Sequence, residues 1–368
     1  MTTECVLITG GAGFIGRRLA LNLLRRGHRV RLLDSLIEQV HGGRRPAALP
    51  REAELLVGDV RDPVALQKAL AGVDSVVHLA AEVGVGQSMY AIERYVSAND
   101  LGTAALFQHL VENPVRRVVV ASSMSVYGEG LYVDSAGAAV EESPRRDIAY
   151  SWDPTDDYGV PLTPVATPEW KRPNIASVYA LTKFVQEQMT MTLTAAYGIG
   201  GVALRLFNVY GPGQALSNPY TGVLAIFASR LANGKPPLVF EDGRQRRDFV
   251  HVDDVAEAFA LALERPKAAG QVYNVGSGRD HSVVQIAEML AAAMNRAEIA
   301  PEISGKARAG DIRHCFADTS RAERELGFRA KAEFLEGLGE LAEWVSRQKA
   351  RDRVTEARRE LEARGLVA

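Results

Sequence analysis

The sequence predicts an α/β protein, a doubly wound parallel sheet joined to a smaller α/β C-terminal domain. Three observations lead there. Short apolar runs alternate with amphipathic stretches through the first half. Those runs are continuous rather than alternating, as in strands covered by helices on both faces. The chain, at 368 residues, also exceeds one ordinary domain at ~150 residues apiece.

The runs Val6–Thr9, Val30–Leu33, Leu55–Val57, Val76–Leu79, Val118–Ala121 and Val202–Leu206 read as strands. The stretches Ile15–Arg26 and Val64–Leu70 read as helices between them. Two longer helices are expected over about 91–112 and 178–197, with apolar positions at helical spacing, and they offer a face for a homodimer. Beyond Phe207, turn-rich segments at Tyr210–Tyr220 and Gly234–Pro237 interrupt helices near 221–232 and 282–294. The stretch Val250–Leu263 reads as a strand end and a helix capped near Asp253. The expected division is 1–207 for the first domain, with 248–273 returning to it, and 208–247 plus 274–348 for the second. A final helix, 349–368, alternates its charges and reads as a solvated element without function. Between Glu129 and Ser177 lie Pro144, Pro154, Pro161, Pro164, Pro168 and Pro173. This is an insertion, read either as a lid over a site or as a surface loop.

Composition narrows the function. With 47% hydrophobic and 24% charged residues, disordered and collagen-like chains are excluded. A net charge of −2 and a pI near 6.4 do not suit a nucleic-acid binder. The two cysteines, Cys5 and Cys315, are too far apart for a paired metal motif, so no metal site is expected and a reducing cytoplasm is. The N-terminus lacks a basic region followed by a signal-length apolar stretch. No run is long and apolar enough for a membrane span.

The run from Val6 to Gly16 is a strand, a glycine turn and a helix start, the order that dinucleotide binding needs. Gly10 permits the turn, Gly13 lets a pyrophosphate approach, and Gly16 lets the helix pack closely. Exposed N–H groups and the positive helix end hold phosphate. A glycine trio alone also fits an ordinary βα turn. Asp34, ending the second strand, adds an acceptor for the adenosine ribose and repels a 2′-phosphate, favouring NAD over NADP. Asp59 ends the next strand and is placed to meet the adenine or to act as a plain strand-end cap. Arg31 lies inside a strand and reads as surface charge.

Tyr179 and Lys183 are one helical turn apart, which stacks phenol and ammonium on one face. A tyrosine of pKa about 10 is a poor base at neutrality, but a nearby ammonium stabilises its phenolate. By itself the pair fits an ordinary amphipathic helix. Upstream, Ser122 to Gly128 follows an apolar strand and supplies hydroxyl groups.

Taken together these motifs resemble the extended short-chain dehydrogenase/reductase family, and within it the nucleotide-sugar epimerases and dehydratases. The resemblance runs from about Cys5 to Trp344 and rests on Gly10 to Gly16, His78 to Ala81, Ser122 to Gly128, Tyr179 to Lys183, Arg205 to Pro212, Arg247 to Asp254, Asn274 to Gly278, and Gly310-Asp311. It implies a Rossmann domain holding NAD and a smaller domain holding a nucleoside diphosphate sugar. Ser123, Tyr179 and Lys183 are the implied catalytic residues. Ser123 would bond the reacting sugar oxygen, Tyr179 would act as acid/base, and Lys183 would bind the nicotinamide ribose and lower the Tyr179 pKa. Implied cofactor contacts are Gly10, Gly13, Phe14, Ile15, Gly16, Asp34, Ser35, Asp59, Val60, Leu79, Ala80, Ala81, Asn99, Tyr179, Lys183 and Phe207. Implied substrate contacts are Ser123, Ser125, Asn208, Gly222, Val223, Phe240, Arg247, Arg308, Asp311 and Cys315. Arg247 and Arg308 would clamp the diphosphate. Phe240 packs on the base or in the core. Cys315 either widens the sugar pocket or is a buried apolar cysteine. His78 and His251 read as structural.

Family members that dehydrate place an Asp-Glu pair directly after the serine, and decarboxylases carry a Glu at the second position. Here Met124 and Ser125 stand there, and neither supplies the extra acid or base. A 4-epimerase needs only the triad. The resemblance is closest to 4-epimerases acting on UDP-hexoses and on deoxyhexoses such as dTDP-L-rhamnose, the segments 80–90 and 216–223 leaning toward the latter. The alternatives are a dehydratase or decarboxylase of the same family, or a non-catalytic NAD-binding sensor.

Overall fold

The computed structural model describes residues 3–42, 49–143, 151–350 and 352–367. Pro144 lies outside them.

Seven parallel strands form the main sheet, in the spatial order Gln271–Val275, Gly200–Leu206, Arg117–Ser123, Ser75–His78, Cys5–Thr9, Arg29–Asp34 and Glu54–Val57. The fold is thus Rossmann-like. Strands Cys5–Thr9, Ser75–His78 and Arg117–Ser123 are buried along their whole length, the physical reason their sequences are unbroken apolar runs. Strand order reverses between Cys5–Thr9 and Ser75–His78, and a crevice at the carboxyl ends of such a pair is where ligands bind in this architecture.

Helix Phe14–Arg25 packs against helix Val252–Glu264 on one face of the sheet. Leu19, Leu23, Val255 and Phe259 are among the residues closing that core. Helices Pro63–Leu70 and Gly102–Glu112 cover the other face through Leu66, Leu106, Phe107 and Leu110. Helix Val178–Ala196 lies against the strands Arg117–Ser123 and Gly200–Leu206. It is locked there by a buried bidentate pair, Arg205 to Glu187 at 2.7 and 3.0 Å, with Ser122 Oγ donating to the same carboxylate at 2.6 Å.

A second core gathers helices Val223–Ala232, Val283–Ala293 and Phe334–Ser346. They flank a small sheet of Asn208–Tyr210, Arg246–His251, Asp280–Ser282 and His314–Cys315. The sequence reading assigned all of 274–348 to this lobe. Two pieces belong elsewhere: Asn274 and Val275 finish the main-sheet strand Gln271–Val275, whose first three residues were already expected in the first domain, and Ala322, Leu326 and Phe328 pack into the first core. Helix Val252–Glu264 is capped by His251, whose Nδ1 accepts from the Asp253 N–H at 3.4 Å, rather than by Asp253 itself.

The helix expected over 91–112 is broken by an i→i+5 stretch, Val96–Leu101. Such wider turns are frequent at functional sites. Here it swings Asn99 fully inside, where the amide bonds both the N–H and C=O of Glu82 and the Thr182 hydroxyl.

The insertion forms a three-stranded antiparallel sheet, Leu131–Val133, Ala139–Val140 and Thr163–Val165. It is fastened to the second lobe by Asp153 to Arg313 at 2.7 Å and by a bridge between Thr167 and Ala317.

The last helix, Val354–Ala363, differs most from expectation. Ala357 and Leu361 are buried, so it is docked rather than solvated.

Candidate active site

Two adjoining clefts open at the carboxyl end of the main sheet, sharing Val83 and Thr221 in their walls. The first, about 460 Å³, lies over the glycine turn. Gly10 has φ +67°, and a Cβ there would sit 2.8 Å from the Ala80 nitrogen. At Gly16 a Cβ would fall 2.6 Å from the Gly11 carbonyl oxygen. Both positions therefore demand glycine. Helix Phe14–Arg25 starts at Gly13 without a side-chain cap, leaving its first-turn N–H groups to face the cleft.

Asp34, at 7% exposure, accepts from the Ala12 N–H at 3.0 Å and the Leu36 N–H at 2.8 Å. His41 Nε2 stands 3.4 Å from the same carboxylate. Asp59 lines the cleft with its carboxylate forked onto Arg61, which keeps it below the ordinary carboxylate value. Gly13, Phe14, Ile15, Ser35, Val60, Leu79, Ala80 and Ala81 line the same cleft. Arg31 is spent on Glu54 and on the Ala69 and Ala71 carbonyls. A shape that excludes side chains from the turn, free N–H groups and a carboxylate at the far strand end together fit a dinucleotide with an unphosphorylated ribose.

Asn99 departs from the cofactor list: its amide is consumed by Glu82 and Thr182, and it reaches neither cleft. Sequence reasoning missed His41, Arg61, Gln214 and Asn218 on the wall. The last two sit in a turn-rich segment without periodicity to orient them. Arg17 ties that segment down, its Nη2 donating to the Gly213 carbonyl at 2.7 Å.

The second cleft, about 400 Å³, contains Ser123, Ser125, Tyr179, Phe207, Asn208, Gly222, Val223, Phe240, Arg247, Arg308 and Asp311 in its wall. Ser177 caps helix Val178–Ala196 through the Ala180 N–H, which sets Tyr179 in the first turn, and the Tyr179 N–H donates to Ser88 Oγ at 2.9 Å. Ser125 Oγ donates to Ser123 Oγ at 2.9 Å, and Ser123 shares the cavity wall with Tyr179. With Ser123 accepting from Ser125, its own proton is available to Tyr179. Burial holds the Tyr179 phenol above its ordinary value, and Ser123 works against that.

Lys183 is placed differently from expectation. Its ammonium donates to Gln186 Oε1 at 2.5 Å, one turn onward, and it lines neither cleft. Burial pulls it down to about 7, opposed by Glu187 and Asp100. The arginine pair is also engaged internally. Arg247 donates to the carbonyls of Arg246, Ile312 and Arg313. Arg308 grips Asp311 at 2.9 and 3.0 Å and stacks 4.4 Å over the Phe240 ring.

Cys315 is a correction. It lies at 1% exposure among Met124, Val126, Tyr127 and Phe207, with the thiol pushed up to about 12 by burial, and does not reach the cavity wall. His78 is structural, its ring held by Thr9 at 2.7 Å and Thr103 at 2.9 Å, with burial lowering it to about 3. None of the described insertion residues lines either cleft, which leaves the lid reading without support. Among the described residues there is no group of three or more metal-ligating side chains, and no helix is long and apolar enough to cross a membrane.

Residues 6–276 match the NAD dependent epimerase/dehydratase family. The chain belongs to that family. It is 37% identical over 349 residues to a dTDP-L-rhamnose 4-epimerase of Burkholderia thailandensis, covering 93% of this chain and 95% of that one. A UDP-glucose 4-epimerase of Halalkalibacterium halodurans is 30% identical across 92% of this chain and 94% of its own. Among solved structures, UDP-glucose 4-epimerase of Thermus thermophilus in complex with NAD superposes with a TM-score of 0.75 at 30% identity, over 94% of this chain and 100% of that chain. NAD is accordingly the dinucleotide that the first cleft fits.

Proposed function

We propose that the protein is an NAD-dependent nucleotide-sugar 4-epimerase acting through a transient 4-keto sugar, with dTDP-L-rhamnose or a related dTDP- or UDP-(deoxy)hexose as substrate. One observation carries the reading: three hydroxyl groups, those of Ser125, Ser123 and Tyr179, share a cavity in which Asp311, the single lining carboxylate among the described residues, is committed to Arg308. That equipment moves one proton at a sugar hydroxyl and offers no second acid or base for eliminating water or losing carboxylate.

Gly10, Gly13, Gly16 and Asp34 would hold NAD, and Asp34 would accept from its ribose. When bound, NAD supplies reversible two-electron oxidation at the sugar C4. Tyr179 takes the C4 hydroxyl proton and later returns it, and Ser123 bonds the same oxygen through both steps. Between them the keto sugar turns over about its diphosphate linkage and presents its other face. Arg247 and Arg308 would meet the diphosphate, Asn208 the phosphate oxygens, and Phe240 the base. The kinship to the Burkholderia enzyme favours the deoxyhexose substrate.

The test is incubation with dTDP-L-rhamnose and, separately, UDP-glucose in deuterated water, followed by NMR. The C4 epimer free of deuterium at carbon is expected. Loss of water, or deuterium at a ring carbon, would overturn the reading.

We also infer a homodimer through the two long helices. Ile92, Val96, Leu101 and Leu181 lie exposed along them at 39–57% of their surface. Sedimentation of wild type and of Leu101→Arg is expected to give a dimer and a monomer; a monomeric wild type excludes the arrangement.

A further inference from the structure

The C-terminal helix, Val354–Ala363, carries an apolar face, Val354, Ala357 and Leu361, and one cation, Arg358, on the wall of the second cleft. It is anchored on both sides of the mouth. On the side of the first lobe, the Glu360 carboxylate accepts from the Tyr90 hydroxyl at 2.9 Å, and Arg364 stacks 4.3 Å over the Tyr90 ring. The same carboxylate accepts from Tyr220 at 3.0 Å. On the side of the second lobe, Asp352 pairs with Lys235 at 2.9 Å, and Lys306 pairs with Glu362 at 3.4 Å. The Ala309 N–H donates to the Leu366 carbonyl at 2.9 Å, so the tail also braces the loop that carries Arg308.

Among the described residues the wall thus holds three guanidinium groups, Arg247, Arg308 and Arg358, against one carboxylate, Asp311. An apolar strip next to an excess of positive charge suits a ligand with an aromatic base and a diphosphate. Arg358 Nε donates to Glu362 at 2.9 Å and its Nη1 stands 3.9 Å from Glu302, partly exposed pairs of the kind that exchange readily for a phosphate oxygen.

We propose that this helix is a built part of the nucleotide-sugar site, closing its outer wall, and that Arg358 is an anion-binding residue for the nucleotide. The inference rests on reading the second cleft as a nucleotide-sugar site. Its consequence is that a nucleotide reaches Arg308 and Phe240 only alongside the tail, so the tail senses occupancy.

The test uses the full chain and dTDP or UDP as probes in titration calorimetry. Arg358→Ala should weaken binding about tenfold and raise KM by a similar factor, with kcat and NAD content unchanged. Arg359→Ala removes the same charge from the exposed side of the helix and should bind as wild type does. Independently, saturating dTDP should slow tryptic cleavage after Arg353, Arg358 and Arg359 at least tenfold in the wild type. Equal affinity of Arg358→Ala and wild type, or cleavage indifferent to dTDP, would overturn the inference alone. A wild type that binds neither nucleotide would remove the reading of the cleft and this inference with it.

Discussion

Lys183 holds its ammonium 2.5 Å from the amide oxygen of Gln186, one turn along the same helix, rather than at the Tyr179 phenol. Gln186 is itself fixed, its amide nitrogen donating to Thr103 at 2.9 Å and standing 3.2 Å from the His78 ring. The cation is therefore parked by a neutral network.

A buried lysine lowered from 10.5 to about 7 leaves the unfolded chain holding more protons than the folded one between those values. Folding then releases a proton, so this group's contribution to stability rises with pH across that window. Lys183→Met should remove that rise. Melting temperature against pH from 6 to 10, for both proteins, checks the sign; parallel curves would show that Lys183 is not perturbed.

Tyr179→Phe and Ser123→Ala each remove one hydroxyl from the cavity wall without emptying much volume. Turnover should fall about 10²–10⁴-fold for the tyrosine change. NAD content of the purified protein should stay at the wild-type level, since neither side chain lines the first cleft. Steady-state kinetics and absorbance of released cofactor give both readings.

Asp34→Ala strands the buried Ala12 N–H and removes the acceptor expected for the ribose. Stability should drop by ~1–3 kcal/mol, as for other buried donors left unpaired. NAD should bind at least tenfold more weakly, measured by calorimetry, with discrimination against NADP reduced. Retained affinity would place the ribose elsewhere.

His78 responds to acid. Its ring is neutral when folded down to about pH 3, against 6.5 when exposed, so its contribution is complete above 6.5 and is lost as pH falls toward 3. His78→Asn should be less stable than wild type at pH 7.5, yet lose less on going to pH 5. Urea unfolding at the two values checks the difference.

How much of this was legible in the sequence depends on whether the constraint is local. The strands and the glycine turn were legible because full burial and a positive φ at Gly10 leave a direct mark on residue type. The grouping of Ser123 with Tyr179 came through resemblance, and both line one cavity. Orientation was not legible. Cys315 sits in a two-residue strand where one step of the pleat decides between cavity and core. Asn99 is turned inward by a widened helical turn that nothing in its neighbours announces. In the last helix Val354, Ala357 and Leu361 form an apolar stripe too narrow to outweigh the surrounding charges, and the tyrosines that receive it are far away in sequence.

The chain passes from the main sheet to the second lobe after Leu206, rejoins it at Val252, leaves again beyond Val275, and returns near Ser320 before ending in the second core from Phe334. Each lobe is completed by threads drawn from the other's stretch of polypeptide. Neither half can therefore melt and leave its companion intact, and heating should produce one calorimetric endotherm rather than two.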